Sequence, residues 1–247
     1  MSGGTDTAFD ALQFSSIYPE GVERHYWNRC RNKVILDTVQ PISNLGPLLE
    51  VGCGKGLVVS FLRNHGCDVR GVELADITPL PGMEPYVKTG CNALDLAIGD
   101  RVQVRTILLL DVIEHLEDPV SFLRQLRNGF PALRNLVITV PARQELFSNF
   151  DEFNGHFRRY DLALLSSQVE LAGAHLNHAG YFFHALYPAA RAQLRFAKRR
   201  SLRFNVPAKG LSSWLHAVLG HACYWDRKLL PASWKGSSII ARAEFRS

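Results

Sequence analysis

The chain has 247 residues, a net charge of +5 and five cysteines, and 47% of its residues are apolar. This length fits one α/β domain, and no apolar run approaches the roughly 18 residues of a membrane-spanning helix. The odd cysteine count, with no Cys-x-x-Cys pair, argues against a disulfide framework and a zinc site, and the first residues lack the pattern of a signal peptide. We therefore expect a cytoplasmic protein with reduced thiols.

The N-terminal part of the chain predicts a loose segment followed by a helix. We expect residues 1–17 to form a loose N-terminus. Pro19 can occupy the first turn of a helix that runs to about Val39, because the N–H that proline lacks has no partner in that turn. Pro41 then ends this helix.

Three closely spaced glycines follow the first predicted strand. Leu48–Val51 is a short apolar run typical of a buried strand, and Leu57–His65 predicts a helix. The turn between them has the spacing G-x-G-x-G over residues 52–56, which lets a ligand approach the backbone because glycine has no Cβ. Dinucleotide-binding folds use G-x-G-x-x-G instead, and Glu50 would repel a pyrophosphate. The pattern favours a ligand that carries cationic groups.

An acidic residue ends the second predicted strand, Cys67–Glu73. Glu73 lies about 20 residues after the glycine turn, where a carboxylate can bind both hydroxyl groups of a ribose. The alternatives are that Glu73 is a solvated loop acid or that the nearby Asp76 takes this role.

The elements that follow alternate between strands and helices. The apolar run Thr106–Leu110 predicts a central parallel strand that delivers Asp111 to the cleft, although Asp111 could instead cap the next turn. Asp118 and Asp161 are predicted helix N-caps. Between their helices, the β-branched segment Leu136–Val140 predicts the fifth strand.

Two further strands, His178–Tyr187 and Ser237–Phe245, complete the predicted sheet, with a helical insertion at 188–236 between them. Within it, residues 191–204 interleave basic and apolar side chains. This pattern suits either an anionic bilayer surface or a solvated helix face. We expect the insertion to close over the site of an acceptor substrate.

Four ordered motifs resemble those of one enzyme family. They are E-V-G-C-G-K-G at 50–56, D-V-I-E-H-L at 111–116, the helix at 23–31 and D-x-x-x-G-H-x-R-R-Y at 151–160. Together they resemble a large bacterial group of class I S-adenosylmethionine (SAM)-dependent methyltransferases. The resemblance implies a single α/β domain over residues 1–247, a Rossmann-like three-layer sandwich. Its seven-stranded, mainly parallel sheet would have an antiparallel last strand.

The resemblance also implies a set of residues that bind SAM. The glycine backbone would line the methionine part, Glu50 would approach the ammonium group, and Glu73 would bind the ribose. Asn92 stands where the family usually has an aspartate beside the adenine amine. Arg31 either reaches the SAM carboxylate or is a solvated helix residue. The full set is Arg31, Glu50, Gly52, Gly54, Gly56, Glu73, Asn92, Ala93 and Asp111.

Two histidines are the candidate catalytic bases. His156 follows the fifth strand, where the acceptor of such enzymes usually lies, and a histidine can accept a hydroxyl proton near neutral pH. His115 is the second candidate, or else it packs under the SAM site. Arg158 and Arg159 could hold an anionic acceptor, although one of them can pair instead with Asp151 or another nearby aspartate.

A metal-assisted reaction is an alternative. Asp111, Glu114 and His115 would share one face of a helical turn, and His156 could complete the set. This arrangement is similar to the E-x-x-E-H motif with which ribose and quinone O-methyltransferases hold Mg²⁺. This chain has aspartate in place of the first glutamate, and relatives without a known metal carry the same D-V-x-E-H version, so we assign no metal ligand.

The sequence favours SAM-dependent O-methylation of a small-molecule, lipid-linked or sugar-linked acceptor. The alternatives are Mg²⁺-assisted ribose or quinone O-methylation, a non-catalytic SAM-binding scaffold and an NAD-dependent oxidoreductase. DNA is not an expected partner, and neither is RNA, because the basic residues outside the insertion are scattered. Residues 191–204 are the expected site of any peripheral contact with the inner membrane surface. The acceptor atom and the oligomeric state stay open.

Overall fold

The computed structural model describes residues 11–197, 199–202 and 205–245. Within these residues, strands and helices alternate along the chain. The strands are β1 (Leu48–Val51), β2 (Val69–Val72), β3 (Val87–Lys88), β4 (Thr106–Leu110), β5 (Asn135–Pro141), β6 (Ala174–Phe182) and β7 (Ser238–Phe245). The α-helices are α1 (Ala11–Ile17), α2 (Tyr26–Val39), α3 (Leu57–Arg63), α4 (Ile98–Arg101), α5 (Pro119–Gly129), α6 (Asn149–Phe153), α7 (Leu162–Leu171), α8 (Leu186–Ala197) and α9 (Leu211–Leu229).

The seven described strands form one sheet in the order β3-β2-β1-β4-β5-β7-β6. Strands β1 to β5 pair in parallel, and β7 runs antiparallel to both β5 and β6. The predicted fold class is therefore confirmed, including the antiparallel last strand. The strand order reverses between β1 and β4, and ligands of such sheets bind in the crevice at the carboxyl ends of the strands at this point.

The core lies on both faces of the sheet, because successive side chains of a strand point in opposite directions. Along β4, Ile107 and Leu109 join the apolar cluster that includes side chains of α5 and α7. Leu108 and Leu110 join the cluster that includes side chains of α2 and α3. Burial on both faces explains why this strand is apolar from Ile107 to Leu110 and could be recognised from the sequence as a central one.

Both predicted helix caps are confirmed. The side chain of Asp118 accepts a hydrogen bond from the Ser121 N–H at the start of α5. The side chain of Asp161 accepts one from the Leu164 N–H at the start of α7. Each carboxylate satisfies one of the N–H groups that a first helical turn leaves unpaired.

The prediction of a loose N-terminus is wrong for residues 11–17, which form α1. The side chain of Phe14 on this helix is buried, and the Gln13 amide donates a hydrogen bond to the Phe153 carbonyl. These contacts with distant parts of the chain order a segment whose own sequence pattern is weak. Residues 1–10, the rest of the predicted loose segment, lie outside the described residues.

The helix predicted from Pro19 begins later, at Tyr26. Gly21 has a left-handed backbone (φ 83°), so the chain makes only a 3-10 turn at Val22–Arg24 before α2 starts. The side chain of His25 then caps α2 by accepting a hydrogen bond from the N–H of the second helical residue.

The sixth strand lies earlier than predicted. It covers Ala174–Phe182 instead of His178–Tyr187, because Gly173, with a φ of 90°, ends α7 and the chain enters the sheet at once. Tyr187 already belongs to α8, whose first turn accommodates Pro188.

The insertion between the last two strands therefore spans residues 183–237 instead of 188–236, and α8 and α9 are its described helices. Helix α9 packs on α2, where Cys223 is buried and Gly220 lies against the backbone of Tyr26. Among the described residues, no helix combines the length and the apolar character that crossing a bilayer requires.

Candidate active site

A cavity of about 1020 Å³ opens at the carboxyl ends of β1, β2 and β4. Its wall runs from the glycine turn after β1, past the ends of β4 and β5, to α6 and α8. This volume lies at the upper end of the range for small-molecule sites, so the cavity has room for two ligands side by side. We call the part beside the glycine turn the cofactor end and the part beside α6 the acceptor end.

The glycine turn has a conformation that glycine adopts far more readily than any other residue. Gly52, Gly54 and Gly56 have φ values of 75°, 53° and 84°. The hydroxyl group of Tyr18 lies so close to Gly54 that a Cβ at this position would overlap it. Tyr18, which no sequence motif singled out, therefore covers the turn from the side of α1.

The carboxylate of Glu73 ties the glycine turn to the end of β2. One of its oxygens accepts a hydrogen bond from the Gly54 N–H (2.8 Å), and the other accepts one from the Ala75 N–H (3.0 Å). Glu73 is buried and lines the cavity, so it is not a solvated loop acid. Each oxygen keeps a second lone pair with which it can accept a further hydrogen bond.

Glu50 lies in β1, immediately before the turn, and faces the cavity. It is 3% exposed, and its Oε2 atom has no hydrogen-bond partner in the described part of the chain. Burial raises the pKa of this carboxyl group to about 8, and the nearby Glu73 and Asp111 add to the effect while Arg31 opposes it. A cationic group beside Glu50 would supply the missing partner and favour its ionised form.

Arg31 is a buried residue of α2 and not a solvated one. Its Nη2 atom lies 2.7 Å from Asp111 Oδ2, and its guanidinium lies over the Trp27 ring at 5.2 Å from the ring centroid. The Thr139 hydroxyl donates to Asp111 Oδ1 (3.1 Å). Asp111 is thus held by two side chains and is not the cap of the following turn. The buried Nε of Arg31 has no partner among the described residues.

Asn92 lies at the cavity wall with its amide oxygen already in use. This oxygen accepts a hydrogen bond from the Leu94 N–H (2.9 Å) and caps a 3-10 turn at Ala93–Asp95. Asn92 is exposed, whereas Ala93 is buried. The role of Asn92 beside adenine stays a prediction, and its NH₂ group, which takes no part in the bond to Leu94, can face a ligand.

The cofactor end fits SAM, the predicted cofactor. SAM carries a positive ammonium and a positive sulfonium group, and three carboxyl groups line this end, those of Glu50, Glu73 and Asp111. The unpartnered oxygen of Glu50 suits an ammonium group, and the unpartnered Nε of Arg31 suits a carboxylate.

At the acceptor end, Asp151 holds His156 and Arg159 together. Its Oδ1 atom lies 2.9 Å from His156 Nδ1 and accepts a hydrogen bond from Arg159 Nε at 2.8 Å. Its Oδ2 atom accepts from the backbone N–H of Ser148. Burial opposes ionisation of Asp151, but its hydrogen bond with His156 and the charge of Arg159 outweigh burial and lower its pKa to about 2.

His115 packs edge-on against His156, with ring centroids 4.6 Å apart. Burial, together with the nearby His156, lowers the pKa of His115 to about 4. His115 is therefore neutral near pH 7, where it could act as a base or as a ligand.

Glu114 completes a compact group with the two histidines. It is fully buried, and neither of its carboxylate oxygens has a partner in the described ranges. Burial, followed by the charge of Asp111, raises its pKa well above the ordinary value. Ligand atoms of Glu114, His115 and His156 all lie within 4.8 Å of one another.

Asp111, the fourth member of the predicted metal set, is not part of this group. Residues 113–115 form a 3-10 turn, and Asp111, with a left-handed φ of 61°, pairs with Arg31. The predicted single helical face of Asp111, Glu114 and His115 is therefore not formed.

The arginines of the motif at 151–160 do not point freely into the cavity. Arg159 is buried and bonded to Asp151 and the Ala142 carbonyl, so the alternative of a structural pairing is confirmed for it. Arg158 is bonded to the Glu117 carbonyl.

Sequence reasoning missed the role of Arg200, which lines the acceptor end. Its backbone N–H and C=O both bond to the Asn149 side chain, and its guanidinium lies over Phe150. It makes no ion pair with a described residue. The basic pattern at 191–204 contained Arg200, but nothing local distinguished this arginine from its neighbours.

Comparison with known proteins gives three findings. Residues 23–179 match the model of a family described as "Methyltransferase domain". The chain is 33% identical over 84 residues to a ubiquinone biosynthesis O-methyltransferase of Bordetella avium, a match that covers 31% of this chain and 35% of that protein. It is 32% identical over 139 residues to the Ruegeria pomeroyi protein of the same name, with 47% and 54% covered. The chain thus spans between about a third and a half of the length of these relatives.

Among solved structures, the chain is similar to the 1,6-didemethyltoxoflavin-N1-methyltransferase of Burkholderia thailandensis. The TM-score is 0.54 at 15% identity, over 96% of this chain and 88% of that one. It is also similar to the magnesium protoporphyrin IX methyltransferase of Synechocystis PCC 6803, with a TM-score of 0.51 at 12% identity over 89% and 84% of the two chains. At these identities the similarity shows a shared fold.

Proposed function

Because the chain belongs to the class I SAM-dependent methyltransferases, we propose that it methylates a hydroxyl oxygen of a small-molecule, lipid-linked or sugar-linked acceptor. The observation that carries this proposal is the Asp151–His156 pair, whose histidine lines the same cavity as the carboxyl groups of the cofactor end. The O-methyltransferase name of the curated relatives supports oxygen as the acceptor atom.

Bound SAM supplies a methyl group on a sulfonium, which is already activated for transfer to a nucleophile. The residues of the chain must therefore bind and orient SAM and the acceptor, exclude water from the site and accept a proton. Glu50 would pair with the ammonium group, Glu73 with the ribose hydroxyls, and Arg31 Nε with the carboxylate. Tyr18 would exclude water from the glycine turn.

Asp151 determines which nitrogen of His156 can act as a base. With a pKa near 2, Asp151 is a carboxylate at neutral pH and accepts the Nδ1–H of His156. In the neutral tautomer that carries its proton on Nδ1, the Nε2 atom can take the hydroxyl proton of the acceptor as the acceptor oxygen bonds to the methyl carbon and the methyl–sulfur bond breaks. His115, neutral at this pH, adds no charge that would oppose protonation of His156.

The acceptor end supports an acceptor with an anionic group. Arg200 has no carboxylate partner in the described part of the chain and lies beside the already paired Arg159. The nearby wall is apolar, with Leu146, Phe150 and Leu186. An aromatic or lipid-linked hydroxyl compound with a negative substituent matches both features.

Radiolabelled SAM and a panel of hydroxylated compounds test this proposal. The expected result is transfer of labelled methyl to oxygen, lost in His156→Ala and retained in Arg158→Gln, whose side chain is bonded outside the Asp151 group. Calorimetric titration with SAM, S-adenosylhomocysteine and NAD(H) is the companion measurement. Binding of NAD(H) alone would favour the oxidoreductase, and SAM binding without turnover on any acceptor would favour the non-catalytic scaffold.

Metal-assisted O-methylation is the second candidate function, and the grouping of Glu114, His115 and His156 favours it. A set of one carboxylate and two imidazoles suits transition-metal ions better than it suits Mg²⁺, because Mg²⁺ favours oxygen ligands. Activity that is lost with EDTA and restored by Mn²⁺ or Mg²⁺ would support this candidate. Activity that EDTA leaves unchanged would support His156 as a metal-free base.

We also propose that residues 191–204 make peripheral contact with an anionic membrane. Arg191, Arg195 and Arg199 are exposed, and Phe196 is 83% exposed. Lys198, Arg203 and Phe204 of this stretch lie outside the described residues. Basic side chains beside an exposed aromatic ring are typical of a surface that binds anionic lipid. Weaker vesicle binding of Arg191→Gln/Arg195→Gln is the expected outcome.

A further inference from the structure

Helix α9 carries a long apolar face that no described residue covers. Its inner side packs on α2 through Gly220 and Cys223. Its outer side carries large apolar side chains that are 46–77% exposed. They are Leu211, Trp214, Leu215, Val218, Leu219, Trp225 and Leu229.

Together with the exposed Ala222, these positions follow the three- and four-residue spacing of one helix face, so they form one stripe along the 19-residue helix. At 1.5 Å per residue the stripe is roughly 27 Å long. Singly exposed apolar residues need no explanation, but a continuous stripe of this size marks an interaction surface.

The charges around this stripe are positive on balance, with four basic residues against two acids. Lys209 precedes the helix and is exposed, and Lys33 of α2 lies 2.7 Å from His221 on the stripe's edge. Arg227 and Lys228, in the last turn, share the single carboxylate of Asp37. The one acid of α9, Asp226, accepts a hydrogen bond from the Ala185 N–H.

We propose that this face of α9 docks on the surface of an anionic lipid bilayer, with the helix lying in the plane of the interface. Amphipathic helices with leucine and tryptophan on one face and lysine at the edges insert into the boundary between headgroups and acyl chains. Trp214 and Trp225 suit that boundary, because an indole ring joins an apolar body to a polar N–H. The basic border adds electrostatic attraction to anionic headgroups.

Two other possible occupants match this face less well. A second copy docked face to face would bring the lysines of both copies together, which opposes association. Residues 1–10, outside the described part, supply only Met1, Ala8 and Phe9 as apolar side chains and cannot match seven. A bilayer meets both the apolar stripe and the positive border.

Vesicle binding of the full chain tests this proposal. Vesicles of phosphatidylcholine alone are compared with vesicles that contain one quarter phosphatidylglycerol. The variant Leu215→Glu/Leu219→Glu places two charges in the stripe. Its matched control, Leu164→Glu/Leu171→Glu, makes the same change at exposed leucines of α7. SAM binding and thermal unfolding of each variant verify the fold.

The expected result is sedimentation with the anionic vesicles, about tenfold or more weaker for the α9 variant and unchanged for the control. Salt should weaken the binding, and tryptophan fluorescence should shift to the blue. Failure to bind anionic vesicles, or equal loss in both variants, would overturn the proposal. So would a concentration-dependent dimer that the α9 variant abolishes. None of these outcomes depends on methyl transfer, so this proposal and the proposed function can fail separately.

Discussion

The guanidinium of Arg31 lies 2.7 Å from the carboxylate of Asp111, and this pair ties α2 to the end of β4 at the cofactor end of the cavity. Asp111 has a left-handed backbone (φ 61°), which costs a residue with a side chain about 1–2 kcal/mol. The ion pair and the hydrogen bond from Thr139 hold it in this conformation.

Replacing Arg31 with methionine is expected to lower the free energy of unfolding by about 2 kcal/mol. Asp111 would lose its charged partner, although its partial exposure and the bond from Thr139 limit the cost. Urea unfolding measures the change. The double variant Arg31→Met/Asp111→Asn should recover part of the loss, since it removes the unpaired charge. A double variant as unstable as the sum of the single ones would contradict the coupling.

Replacing Asp151 with asparagine is expected to reduce kcat by roughly 10²–10⁴-fold, because the amide no longer fixes the proton on Nδ1 of His156. Steady-state kinetics with labelled SAM measures this, and the KM for SAM should change little. Arg158→Gln is the control. An equal loss of kcat in Asp151→Asn and Arg158→Gln would contradict the assignment of an orienting role to Asp151.

Binding of SAM is expected to release a proton from Glu50. The pKa of Glu50 in the free protein is about 8, so most molecules carry the proton at pH 7, and an ammonium group beside it favours the carboxylate. Affinity for SAM should therefore rise as the pH increases from 6 to 8. Calorimetry in buffers of different ionisation enthalpy counts the proton. Glu50→Gln should abolish both effects, and no proton release from the unmodified protein would contradict the assignment.

The same group makes the free protein less stable as the pH rises. Between about 4.5 and about 8 the folded chain keeps a proton on Glu50 that the unfolded chain has lost. Unfolding therefore releases a proton in this window, and raising the pH favours the unfolded state. The free energy of unfolding of Glu50→Gln, measured in urea, should lack this component of the pH dependence.

Replacing Glu73 with glutamine is expected to weaken SAM binding by about 1–3 kcal/mol. Glutamine has one carbonyl oxygen for the two N–H groups that Glu73 serves, and it offers no charge to a ribose hydroxyl. Calorimetric titration measures the loss. Asp76→Asn, at the nearby acid that the sequence left as an alternative, should bind SAM normally, and the reverse result would exchange the two assignments.

The fold could be predicted from the sequence because its signals are local. The apolar run at 106–110 and the glycine turn at 52–56 each identify an element from a few adjacent residues. The order of the predicted strands and helices along the chain then indicates a mainly parallel sheet. The sixth strand begins earlier than its sequence pattern predicts, because its exposed middle, around Asn177 and His178, lacks the apolar pattern of the other strands.

Contacts between distant residues could not be predicted in the same way. The sequence placed Asp111 and Arg31 in the site but gave no reason to pair them with each other. It contained no sign that Tyr18 would cover Gly54, 36 positions along the chain, or that Asn149 would position Arg200. Such contacts depend on how complete elements pack, and no periodic pattern records them.

The opposite charges of the two cavity ends have a consequence for product release. The cofactor end attracts a cation through Glu50 and Glu73, whereas Arg200 attracts an anion to the acceptor end. Methyl transfer removes the positive charge from the donor and consumes the nucleophilic oxygen of the acceptor. The demethylated donor is then less strongly attracted to the cofactor end than SAM was, whereas the negative substituent of the acceptor keeps its attraction to Arg200. We therefore expect the cofactor end to hold the demethylated donor less tightly than SAM, and the acceptor end to hold substrate and methylated product about equally well.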